Sequence, residues 1–157
     1  MVWRTVPLLD LYRGEDDPAN PDRWCCPGVV DYLSPEEREA YRLDVKNGKL
    51  YDSEGGLFDT RDATSVHSNE PRAIFVMAPD GSIYVSKQQR IHRFHHSSLV
   101  AGDSVAAAGE IEVEDGILRL VSNKSGHYRP LAEHADQLLE LLAEQGVEVR
   151  GVTKDYV

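Results

Sequence analysis

Two segments concentrate side chains that can move protons or hold an anion: "RFHHSSLVAG" at 93–102 and "SGHYRP" at 125–130. Imidazoles titrate near neutrality and serve as acid or base. Hydroxyl and guanidinium groups donate to negatively charged oxygens. The pattern nominates His96, Ser98, His127 and Tyr128 as a catalytic set, with His96 and His127 as acid and base. His95, Ser97, Ser125, Gly126 and Arg129 form the surrounding set that would bind an anionic, phosphate-containing ligand. Read as a strand, residues 93–100 alternate. Phe94, His96, Ser98 and Val100 take the inner face; Arg93, His95, Ser97 and Leu99 take the other. Polar groups turned inward cost roughly 1–3 kcal/mol each unless they are bonded. His96 and Ser98 must therefore meet each other, the backbone or a ligand. The competing reading is structural: the two segments satisfy one another and do no chemistry.

Weaker constellations surround these. Ala106, Ala107, Ala108 and Gly109 run in a row, so something must approach that backbone closely. It is either a packed helix or a ligand seated on a floor of small side chains. "KQQRIHR" at 87–93 is a small basic cluster that can hold a phosphate or lie as a solvated loop. Cys25 and Cys26 are adjacent and have no cysteine elsewhere to pair with, so neither a disulfide framework nor a zinc site is expected. His95 and His96 diverge on a strand, and no metal is expected there. Arg13 in "LYRG", Ser97 in "HHSS" and Glu112 in "GEIE" follow the order used by ADP-ribosyltransferases of the Arg-Ser-Glu type. NAD enters as a cofactor only under that alternative; otherwise the cofactor is unknown.

The elements that must position these residues are legible locally. "SPEEREAY" begins a short helix, with Ser34 as N-cap, Pro35 at the first position and Glu37 completing a capping box. Asn47-Gly48, Asp80-Gly81 and Asp115-Gly116 each sit between strand-like runs and predict three antiparallel hairpins. Residues 52–71 read as a polar surface loop. Leu131, Ala135, Leu138, Leu139 and Leu142 form one apolar stripe of a C-terminal helix, entered from Pro130 and ended by Gly146. "VEVRGV" is expected to return as an edge strand. Residues 1–32 read as an irregular arm anchored by Trp3, Leu8, Leu9, Leu11 and Trp24; residues 33–157 read as one domain. Strands in the middle with helices at the ends predict an α+β fold, a mainly antiparallel sheet with a short N-terminal helix and a C-terminal helix packed on it.

Charge limits the partners. The net charge is −10 over 157 residues, with −6 in residues 1–62, none in 63–130 and −4 in 131–157. An acidic chain repels nucleic acid at long range, so nucleic-acid binding is not expected. No run approaches the ~18 apolar residues of a membrane span, and the N-terminus lacks a signal-peptide pattern, which points to the cytoplasm.

From residue 33 onward the chain resembles the core of the plant IQ-motif-containing calmodulin-binding proteins. The resemblance runs through "LSPEEREAYRLDVKNGKLYDSEGGLFDT", "AIFVMAPDGSIYVS", "RFHHSSLVAG", "AAAGEIEVEDGIL" and "SGHYRP". The same module is similar to C-terminal domains of bacterial polymorphic toxins. The resemblance implies a shared site over His96, Ser97, Ser98, Ser125, Gly126, His127, Tyr128 and Pro130. It leaves three readings open: a toxin-like effector with an unknown small-molecule or protein ligand and an immunity protein as partner, a non-catalytic interaction module, or an NAD-dependent ADP-ribosyltransferase. Calmodulin is not expected as a partner, because no IQ motif stands in the sequence.

Overall fold

Each turn dipeptide closes a hairpin. β1 (Arg42–Lys46) pairs with β2 (Lys49–Tyr51), β3 (Ala73–Met77) with β4 (Ile83–Ser86), and β5 (Ala107–Glu114) with β6 (Ile117–Ser122), all antiparallel. At the first and third turns both residues take positive φ: Asn47 51° and Gly48 75°, Asp115 49° and Gly116 78°. This is the mirror-image turn that matches strand twist, and it selects asparagine, aspartate and glycine. The computed structural model describes residues 3–20, 30–65, 69–90 and 93–157. Trp24, Cys25, Cys26 and the centre of the 87–93 cluster lie outside them.

The fold is α+β. The strand order is β2-β1-β4-β3-β5-β6-β7, with β7 (Thr153–Asp155) parallel to β6 and every other pairing antiparallel. Parallel neighbours need a crossover, and the helix α3 (Ala132–Glu144) supplies it. The expected returning strand is thus displaced from "VEVRGV" to 153–155. Its parallel direction follows from that crossover. The first helix, α1 (Pro35–Arg38), has the predicted cap: Ser34 Oγ accepts from Glu37 N at 3.1 Å, and Glu37 Oε1 accepts from Ser34 N at 2.9 Å.

β3 is buried throughout and separates two apolar clusters. Its side chains alternate: Ala73, Phe75 and Met77 pack with Leu138 and Leu142 of α3, whereas Ile74 and Val76 pack with Leu8, Leu99 and Tyr128. Fully burying side chains of this size contributes about 1.5–3 kcal/mol each. The alanine run is covered by packing. Ala106 and Ala107 face the α3 cluster, Ala108 faces the other, and Gln137 Nε2 of α3 donates to Ala106 O at 2.8 Å. Gly109 is demanded by the neighbouring strand, since a Cβ there would lie 1.9 Å from the Ser122 carbonyl oxygen.

The described residues of the polar 52–71 segment, 52–65 and 69–71, are a loop that reaches the interior. Phe58, Thr60, Ala63 and Ser65 are buried. Thr60 N donates to Val113 O at 2.8 Å, and Val113 N donates to Thr60 Oγ1 at 3.0 Å, beside the register shift at Glu112/Val113. The loop thereby joins β2 to the β5–β6 hairpin and curls the sheet. The arm is docked as well. Val6 bridges Val105, and Trp3 and Leu8 are buried, but Leu11 is 59% exposed.

Candidate functional site

Residues 93–100 are not a strand. Arg90 and Phe94 form an isolated bridge, and His96–Leu99 is a single helical turn, α2. The reason is local bonding. Ser98 Oγ accepts from His95 N at 3.0 Å, and Ser98 N donates to His95 O at 2.9 Å, which closes the turn at its start. Gly102, at φ +76°, donates from its N to Ser97 O at 3.0 Å and closes the end. The inner-and-outer alternation expected of a strand is replaced by general burial: His95 through Val100 are all buried.

The two histidine-bearing segments meet. His127 is stacked between Tyr12, at 3.9 Å between ring centroids, and His95, at 4.4 Å. His127 Nε2 lies 2.7 Å from Glu15 Oε1. Tyr32 donates from its hydroxyl to Glu15 Oε2 at 2.6 Å. Burial pushes the Glu15 carboxyl up, but hydrogen bonds from His127, Tyr32 and the nearby Ser97 outweigh it and hold the group below its ordinary range. Glu15 is therefore an acceptor only, so the Nε2 proton of His127 points at it. The Tyr32 phenol is raised well above its usual range by burial and by the Glu15 charge, which keeps it a donor.

Other predicted residues are committed to the backbone. His96 Nε2 lies 2.7 Å from the Gly109 carbonyl and must donate to it. Tyr128 is fully buried and donates to Asp103 O at 2.7 Å. Burial raises its phenol too, with Glu15 and Asp103 adding to the effect. Ser97 and Ser125 are buried; Ser97 lies beside Glu15, and Ser125 Oγ has no hydrogen-bond partner among the described residues. Gly126 has open space around it and an ordinary φ, so no backbone demand selects glycine. Arg129 is exposed, with φ 47°.

Sequence reasoning missed Glu15, Tyr12 and Tyr32, which lie in or just after the acidic arm. Their only signal was a tyrosine and an acid inside a turn-rich stretch. It also missed the polar cluster around Arg72. There Arg72 Nε lies 2.9 Å from Glu112 Oε2, and its Nη1 lies 2.8 Å from Asp155 Oδ2 and 3.5 Å from the fully buried Glu110. Of the transferase trio, Glu112 is held by Arg72, Arg13 pairs on the surface with Asp10 at 2.7 Å, and Ser97 is buried. Among the described residues, no group of three or more histidines, cysteines or acids is placed to hold a metal ion, and no helix is long and apolar enough to cross a membrane.

These features define a class: an α+β domain on a curled, largely antiparallel sheet, with a histidine–glutamate cluster sealed between the sheet and an N-terminal arm. The model of the IQ motif-containing protein middle domain matches residues 37–135, and the chain belongs to that family. Two relatives from Arabidopsis thaliana are the IQ domain-containing proteins IQM2, 37% identical over 124 residues, and IQM3, 36% identical over 124 residues. Each alignment covers 78% of this chain but only 20% and 26%, respectively, of the relative. The chain thus spans about a quarter or less of the relatives' length. No solved structure matches it.

Proposed function

We propose that this chain is a non-catalytic protein-interaction module of the IQ-motif family, in which the histidine and serine segments hold the fold. One observation carries the reading: His127 is only 5% exposed, stacked between two rings and bonded through Nε2 to a buried glutamate. A general acid or base must reach its substrate, and this imidazole is spent inside the protein. Ser98 and His96 are likewise spent, on a helix start and a strand carbonyl. The partner this reading calls for is a protein engaged by the core itself.

A second reading is a toxin-like acid–base site built from His95, His127, Ser97 and Ser125, with Arg129 at its rim. The buried Ser125 hydroxyl, without a hydrogen-bond partner among the described residues, favours it. Thermal melting of His127→Ala separates the two. Breaking a buried pair costs about 3 kcal/mol, so a structural His127 lowers Tm by roughly 6–12 °C. A variant that melts with the wild type overturns the module reading and returns the cluster to chemistry.

A further inference from the structure

We infer that the groove between α1 and the stretch formed by residues 86–90 and Phe94 is the docking surface of this module, and that its occupant is a basic, amphipathic peptide segment of a partner protein. The inference rests on the interaction-module reading and names its partner class. The groove encloses about 760 Å³, enough for a few side chains of a ligand. Tyr41 and Phe94 form one wall, their rings 5.6 Å apart and tilted by 32°. Leu57, 42% exposed, and buried Phe58 line it across from β4. An aliphatic or aromatic side chain seated there removes apolar surface from water on both sides.

Charge decides the rest of the occupant. Five carboxylates and three basic side chains line the groove. Two of the acids are held by bases outside the lining, Asp59 by Arg61 at 2.7 Å and Asp31 by Arg93 at 3.5 Å. Two of the bases are similarly held, Lys87 by Asp62 at 3.1 Å and Arg42 by Asp44 at 3.5 Å. What remains is Glu37, Asp52 and Glu54 against Arg90. Glu37 accepts from Ser34 and Asp52 from the Glu54 and Gly56 amides, none of them cationic, and none of the three acids has a cationic partner among the described residues. Three uncompensated carboxylates beside an aromatic wall repel an anionic ligand and attract lysine or arginine flanked by apolar residues.

The test is fluorescence anisotropy at about 150 mM salt, where long-range attraction is screened. The probe is a short fluorescein-labelled peptide of alternating lysine and leucine; its glutamate-for-lysine counterpart is the control. The lysine peptide is expected to bind and the glutamate peptide not to. Glu54→Lys and Leu57→Ser should each weaken binding about five- to tenfold with Tm unchanged, whereas Glu144→Lys, the same charge change at an exposed position of α3, should leave it within about twofold. Equal losses for Glu54→Lys and Glu144→Lys, no loss for Leu57→Ser, or no binding at all overturns the groove assignment. The His127→Ala melt reads a residue outside the groove, so either conclusion can fail without the other.

Discussion

Glu15 and Glu110 are both fully buried carboxyls, yet their surroundings push them in opposite directions. Glu15 collects donors from His127 and Tyr32 and ends below its ordinary value of 4.5, despite burial. Glu110 is lifted by burial, and Arg72, at 3.5 Å, only partly offsets this; its Oε2 has no hydrogen-bond partner among the described residues. Linkage then gives opposite slopes. A lowered folded value means that Glu15 contributes stability fully present above pH 4.5 and lost as pH falls through the folded value. A raised folded value means that Glu110 opposes folding increasingly as pH rises from 4.5 through its folded value. Glu15→Gln is therefore expected to cost about 1.5–3 kcal/mol at pH 7, a difference that shrinks below pH 4.5. Glu110→Gln is expected to match or exceed the wild-type Tm at pH 7 and to lose that advantage in acid. Melting curves from pH 3.5 to 7.5 check both.

At the scale of elements, the contact between β5 and β6 sets the tightest condition. Gly109 brings its strand against the Ser122 carbonyl and offers its own carbonyl to His96. A methyl group there meets backbone, which cannot swing aside as a flexible side chain would. Gly109→Ala is expected to cost about 3 kcal/mol. Gly126→Ala, in open space with an ordinary φ, is expected to be neutral or to stabilise by about 0.4–1 kcal/mol through the unfolded state. Urea denaturation of the two variants measures the contrast. A small effect at Gly109 would mean that β5 and β6 are less tightly apposed than described.

For the whole molecule, the arm is part of the fold. It supplies Trp3 to one apolar cluster and Leu8 to the other, and Glu15 and Tyr12 to His127. The two apolar anchors alone are worth about 3–6 kcal/mol, a large share of the 5–15 kcal/mol of a typical domain. A chain beginning at Val30 is expected to melt about 10–20 °C lower than the full chain, and calorimetry decides this. An unchanged Tm would show the arm to be ornamental.

Short-range signals were readable without coordinates. The turn dipeptides, the Ser34–Glu37 cap and the leucine stripe of α3 each depend on residues a few positions apart, and the fold class follows from their order. The resemblance to the IQ-motif core was legible for the same reason, being a string of local patterns. The residue types of the two histidine segments suggest that they meet, but not the groups that bond and stack on His127, because a histidine's neighbours in sequence do not say what bonds it. Glu15 reaches His127 across 112 positions, and Thr60 reaches Val113 across 53. Those pairings and the seat of β7 are set by long-range hydrogen bonds and packing. Only the folded chain brings such groups together, and only there are they shielded from water enough to choose one partner.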